Sequence, residues 1–333
     1  MDLISRRVFS FATALAVLPT LAWHAAAVGA ETSYPERQVR LIVPFSAGGA
    51  SDIMGRLLAQ KLSERWKAQV YVENRPGAGG NIGMDVVAKS APDGYNIVLM
   101  NNAAASNEAL NPNLPFDVTT DFIPVRLVAS TPMILAAHPS VQASNIDELT
   151  AALKAAPDKY TYGSCGAGGP QNFATELYKY LAKVDIVHAP YRGCSQAASD
   201  LLGGQIQLAT LSSAVALPHV QAGKMKAIAT TISQRMPAAP DIPTFRESSV
   251  PELKDYEFDI WYGVMVPTGT PQAIVDKLGA AIDAILDQPD VKKSMAGAGI
   301  DELRGSGEAL AKLLAADIEK SAVVVKYSGM TVQ

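Results

Sequence analysis

Histidine and cysteine are scarce in this chain, with four of the first and two of the second among 333 residues. His24 lies near the N-terminus, and His138, His188 and His219 stand at no metal-ligand spacing from one another or from a cysteine. Nothing here reads as a metal centre. Cys165 and Cys194 are too far apart for a CxxC redox motif. Basic stripes with interleaved aromatics are missing too, and 28 basic against 32 acidic residues give a net charge of −4, so nucleic-acid binding has no footing. Beyond the N-terminus, charged residues or proline interrupt every apolar run short of the ~20 residues needed to span a bilayer. Walker and GxGxxG patterns are absent, which excludes nucleotide binding. So is the GxSxG elbow of serine hydrolases.

The N-terminus carries an export signal. Arg6 and Arg7 precede an apolar run from Val8 to Val17, and small residues continue to Ala30. Pro19 and His24 break the run before it could anchor the chain, so residues 1–30 read as a cleaved leader and the mature protein as periplasmic and soluble. The stretch around Arg6 and Arg7 resembles a twin-arginine signal, although paired arginines also occur in ordinary leaders. Removal leaves about 300 residues, enough for two domains. In an oxidising compartment Cys165 and Cys194 favour a disulfide, the competing reading being two buried thiols.

Short β-type runs alternate with helical patterns, which predicts an α/β fold with mainly parallel sheets. Strands are expected at Val39–Val43, Val70–Glu73, Tyr95–Met100, Val125–Val128, Tyr160–Tyr162, Ile186–His188, Ile206–Leu211 and Met225–Thr230. A long strand over Tyr256–Val266 returns to the first domain. Helices are expected from Ser51 to Trp66, with Ile53, Leu57, Leu58, Leu62 and Trp66 on the inner face, then near Ile82–Lys89, Ile146–Ala156, Gln171–Lys183, Ser195–Leu202, Pro271–Leu286 and Glu308–Tyr327. Residues 31–128 with 255–333 form the first lobe, and residues 129–254 the second.

Two glycine turns sit between a strand and a helix, Pro44–Asp52 (PFSAGGASD) and Gly163–Asn172 (GSCGAGGPQN). Glycine lets backbone amides converge, and a helix start carries roughly half a positive charge, so each turn suits an anion. A turn that merely connects strand to helix is the plain alternative for either one alone. Two of them at the carboxyl ends of strands on separate lobes would face a shared crevice.

These turns, together with ENRPGAGGNIG (Glu73–Gly83), HAPYRG (His188–Gly193), DLLGGQI (Asp200–Ile206) and YGVMVPTGTP (Tyr262–Pro271), resemble the ordered motifs of the tripartite tricarboxylate transporter solute receptors, the Bug family. The resemblance covers the whole mature chain. It implies a type II periplasmic-binding-protein fold, with two α/β lobes, crossing hinge strands and a carboxylate in the cleft, delivered to the membrane permease subunits of a secondary transporter by a monomeric, cofactor-free receptor that performs no catalysis. It also implies the ligand set: Phe45, Ala47, Gly48, Gly49, Ser51 and Asp52 from the first turn, Ser164, Cys165, Gly166 and Ala167 from the second, and Asn101, Asn102 and Ala103 as a further wall. Asn172 stands where many members carry histidine. From the residues themselves, Arg192 could grip a carboxylate or sit on the surface, Tyr191 could line the cleft or simply pack, and Asp52 could cap its helix or meet an amino group. Competing functions are a hydrolase using Ser46, Ser51 or Ser164, and a sensory module presenting its liganded form to a membrane kinase.

Overall fold

The structure, a computed structural model, describes residues 33–157, 159–191 and 193–330. The expected leader at 1–30 and the candidate Arg192 lie outside the described residues. Among those described, no helix is long and apolar enough to cross a membrane.

The chain builds two sheets flanked by helices. The first, in the order β11-β4-β10-β3-β1-β2, contains β1 (Val39–Val43), β2 (Val70–Asn74), β3 (Asn96–Asn101), β4 (Phe122–Thr131), β10 (Ile260–Pro267) and β11 (Asp301–Ser306). The second, in the order β7-β6-β8-β5-β9, contains β5 (Met133–Ala137), β6 (Thr161–Ser164), β7 (Val187–Pro190), β8 (Leu208–Ser212) and β9 (Lys226–Thr230). Both sheets are mixed, which corrects the expectation of mainly parallel pairing. β1 is parallel to β2 and β3, and β6 to β7 and β8, but β10 runs antiparallel to β3 and β4, and β5 antiparallel to β8 and β9. Only the βαβ units, whose helical crossovers demand parallel strands, are readable as parallel from the pattern.

The chain leaves the first sheet at Thr131, enters the second at Met133 after the single residue Pro132, and re-enters the first at Ile260. The expected strand from Tyr256 therefore begins four residues later. Tyr256 and Phe258 are buried instead in the apolar core that continues through both sheets, and the Tyr256 hydroxyl donates to Ala174 O at 2.9 Å.

Helix α1 (Ala50–Trp66) packs on the first sheet through Met54, Leu58 and Leu62, an i, i+4, i+8 stripe in which each fully buried side chain is worth about 1.5–3 kcal/mol. Ile53, expected on that face, is 42% exposed. Gly55 instead faces inward, where a Cβ would come within 2.7 Å of Val43 Cγ2. The second sheet carries α4 (Ile146–Ala155), α5 (Pro170–Ala182), α6 (Cys194–Leu202) and α7 (Ser213–Gln221). The first adds α2 (Asn81–Ala88), α3 (Ala103–Leu110), α8 (Gln272–Leu286), α9 (Pro289–Gly297) and α10 (Gly307–Ser328).

Candidate ligand-binding loops

Both glycine turns lie where expected, at the carboxyl end of a strand and the start of a helix, β1 into α1 and β6 into α5. Their backbones are alike in detail. Gly48 and Gly168 occupy the left-handed region at φ of 86° and 69°. The capping glycines that follow are extended, Gly49 at φ −83°, ψ 171° and Gly169 at φ −81°, ψ 167°. In each, the third helical residue reaches back to the left-handed glycine: Gly48 N donates to Asp52 Oδ2 at 2.9 Å, and Gly168 N donates to Asn172 Oδ1 at 3.0 Å. The shared pattern is Ala-Gly-Gly-x-x-Asp/Asn, at 47–52 and again at 167–172.

Asp52 and Asn172 thus act as staples that shape the turns. Asp52 also accepts from Arg56 Nε at 2.9 Å and from Asn74 Nδ2 at 2.9 Å, while Asn74 donates to Phe45 O at 3.0 Å. Burial alone would raise the Asp52 pKa, but hydrogen bonds from Arg56, Gly48 N and Asn74 outweigh it and hold the carboxyl below its ordinary range. Both its oxygens are engaged within the protein. Ala47, Gly48 and Gly49 are exposed, and the first amides of α1 have no acceptor within the helix. Phe45 is half-buried against the core, and Ser51 is buried. The Tyr262 hydroxyl on β10 lies 3.2 Å from Thr131 Oγ1, at the point where the chain changes sheets.

In the second turn, Ser164 is fully buried, its Oγ 3.0 Å from Gly166 O and 2.7 Å from His188 Nε2. The His188 ring stacks on Tyr162 with centroids 4.7 Å apart. Burial and then the Lys179 charge push the His188 pKa down to about 4, so the imidazole is neutral near pH 7. Cys165 is bonded to Cys194 at the start of α6, and Gln171 Nε2 lies 3.7 Å from Cys194 Sγ. Gly166 and Ala167 complete the turn. Pro170 at the first helical position removes one amide that the first turn retains at Ala50.

Of the remaining candidates, Asn101 lines a small cavity with Pro44 and Phe45 of the first turn. Asn101 Oδ1 accepts from Ala103 N at 2.9 Å, where α3 begins directly after β3. Asn102 Nδ2 donates to Asp259 O at 2.8 Å beside the returning chain, and its buried Oδ1 has no partner. The Tyr191 ring packs over Gly163, and its hydroxyl donates to Asp200 Oδ2 at 2.7 Å, away from any ligand role for that oxygen. A third glycine turn, Gly77–Gly80, adjoins the first: a Cβ at Gly80 would meet Pro44 and Phe45, and its neighbour Gly79 accepts from Asn107 Nδ2 at 2.9 Å. The motif ENRPGAGGNIG is its only signal in the sequence.

Ser164 is buried, and the His188 imidazole lies against both its hydroxyl and the Tyr162 ring. Two stapled turns at strand ends on two linked α/β sheets are the arrangement expected of a solute-binding receptor.

Comparison with known proteins places the chain within that class. A family model described as the tripartite tricarboxylate transporter family receptor matches residues 54–330, and the chain belongs to this family. Protein BugT of Bordetella pertussis is 34% identical over 307 residues, covering 92% of this chain and 93% of its own. Among solved structures, an R. palustris protein with adipate is 30% identical over 90% of this chain and 99% of its own, with a TM-score of 0.79. MatC from Rhodopseudomonas palustris with bound malate is 31% identical over 88% of this chain and all of its own, with a TM-score of 0.76. The fold is accordingly that of the periplasmic binding proteins of this family.

Proposed function

We propose that this receptor captures a small dicarboxylate by bridging its two ends between the Pro44–Gly49 and Ser164–Gly169 turns, and hands it to the membrane permease subunits of a tripartite transporter. The observation that carries the reading is the repeated Ala-Gly-Gly-x-x-Asp/Asn turn, with the same dihedrals and the same staple on each sheet. Neither turn carries a lysine or arginine, which fits a carboxylate group held by neutral donors. Hydrogen bonds to a charged group contribute about 1.5–3 kcal/mol each. A handful, after ordering costs, reaches the ~8 kcal/mol of micromolar binding. Adipate and malate, the ligands named for the two structural relatives, both carry two carboxylates.

In this reading each sheet with its helices is one lobe, hinged where Pro132 and the segment before Ile260 cross. Residues 1–30 direct export and are removed, and the receptor works as a monomer that changes no bond in its ligand. Thermal denaturation against dicarboxylates, tricarboxylates, aromatic acids and amino acids tests it. A ligand at 100 times its Kd adds about 2.7 kcal/mol to stability. A shift with other solute classes and none with any dicarboxylate would sink the proposal.

A further inference from the structure

Behind the second turn runs a line of buried polar groups whose hydrogen-bond direction is set at its far end. Glu176 on α5, 4% exposed, is paired with Lys179 at 3.2 Å. The same oxygen, Glu176 Oε1, accepts from the Tyr162 hydroxyl at 2.7 Å. Tyr162 Oη in turn accepts from Asn172 Nδ2 at 2.6 Å, and Asn172 Oδ1 accepts from Gly168 N at 3.0 Å. Tyr162 and Asn172 are 0% and 1% exposed, so water does not compete for these groups.

The polarity follows from donor counting. A carboxylate held by a lysine only accepts, so the single Tyr162 proton must point at Glu176. That leaves Tyr162 Oη as the acceptor for the Asn172 NH2 group, which turns Oδ1 toward Gly168. The Gly168 peptide plane is thereby chosen two side chains away. Burial and the Glu176 charge raise the Tyr162 pKa well above its ordinary value, which keeps the proton in place. His188 stacks on the Tyr162 ring and holds it in position. Lys179 and Glu176 also line a surface depression with Lys154, Lys183 and Tyr327, so the line extends from the protein surface to the ligand turn.

We infer that Glu176 is a positioning residue for ligand binding, acting through Tyr162 and Asn172 to orient the Gly168 turn, and that this relay is why the staple of the second turn is an amide while that of the first is a carboxylate. A carboxylate at position 172 would offer Tyr162 a second acceptor, and one hydroxyl proton cannot serve two carboxylates. At the first turn no such relay exists: the donors Arg56 and Asn74 face Asp52 directly, and the acid is satisfied.

The inference rests on the proposed function for its ligand readout, and the test separates the two. Full-length receptor and the variants Asn172→Asp, Glu176→Gln, the double variant carrying both changes, and the same set in a Tyr162→Phe background are titrated with adipate and malate, and their melting temperatures are taken without ligand. Asn172→Asp should weaken binding by about tenfold or more and lower the melting temperature, because a buried acceptor is left unpaired. Glu176→Gln alone should weaken binding, by less than Asn172→Asp does, since its amide can present either its oxygen or its NH2 group to Tyr162 and no longer fixes the direction of the relay. The double variant should recover most of both losses, because the new amide at position 176 can donate to Tyr162, which then donates to the new carboxylate at position 172. With the Tyr162 hydroxyl removed, that rescue should vanish. The relay is overturned if Glu176→Gln fails to rescue Asn172→Asp, or rescues it equally well without the Tyr162 hydroxyl. Should the unmodified receptor bind neither acid, the proposed function falls while the melting temperatures still decide the relay. If Asn172→Asp alone does not fold, folding of the double variant is the rescue and its failure to fold refutes it.

Discussion

Removing the Cys165–Cys194 link, by Cys165→Ser with Cys194→Ser or by reductant, perturbs the second turn without touching its staple. The two cysteines are 29 positions apart with Cα atoms 4.4 Å from each other, and they join the end of β6 to the start of α6. In the chain-entropy account, opening a loop of about 30 residues returns about 12 cal/mol/K to the unfolded ensemble, or about 3.6 kcal/mol at 25 °C. At about 2.1 cal/mol/K per residue, a chain of about 300 residues has an unfolding entropy near 0.6 kcal/mol/K, so the transition should fall by about 6 °C. Cys165 is also the neighbour of Gly166, and Cys194 touches Gln171, so ligand affinity should drop with stability. Calorimetry of oxidised and reduced protein, each with and without a saturating dicarboxylate, reads both effects. Transitions that coincide within about one degree would refute the entropic account as applied to this loop. Alkylation of both thiols in the absence of reductant would remove its premise.

Two further outcomes depend on charge. Asp52→Asn deprives Arg56 and Asn74 of a shared carboxylate and should cost about 1–3 kcal/mol at pH 7, measured by urea unfolding. Because the folded Asp52 pKa lies below its unfolded value, its contribution is present above pH ~4 and is lost as pH falls through the lowered folded value, so the gap between the variant and the parent should close in acid. Asp259 has the opposite sign. Burial first, then the charges of Asp317 and Glu257, raise its pKa to about 6, so it favours the folded state at low pH and opposes it as pH rises from about 4 through 6. Asp259→Asn should therefore stabilise the receptor at pH 7.5 by up to about 3 kcal/mol and lose that advantage near pH 4. An equal benefit at both pH values would show that the carboxylate charge is not the cause.

The sequence made the local units legible and left the long-range ones hidden. β1 is readable to the residue because Val39–Val43 is apolar apart from Arg40 and is closed by Pro44, and α1 to within one residue, although its cap is Gly49 and its first residue Ala50 rather than Ser51. β5 was missed: Met133–Ala137 is an apolar run without alternation, and its antiparallel partners β8 and β9 lie more than 70 residues away. β11 carries Asp301, Glu302 and Arg304, a charged edge strand with no apolar pattern to betray it. At the site, the glycine turns were visible as motifs, whereas the roles of single residues depend on partners remote in sequence. Tyr191 finds Asp200 on α6, and Ser164 finds His188 at the next strand. The staple is legible in the sequence. Aligning AGGASD on AGGPQN places Asp52 over Asn172, and two residues of like shape at one position of a repeated turn point to the backbone rather than to the ligand.

The central claim is that both glycine turns grip the same ligand, and glycine-selective 15N labelling tests it most directly. On titration with adipate or malate, the amide signals of Gly48, Gly49, Gly166, Gly168 and Gly169 should move together along one saturation curve, while Gly223 and Gly329, which lie apart from both turns in the sequence, stay in place. Binding that moves the signals of only one turn, or leaves all five unchanged, would contradict a ligand bridged between the two.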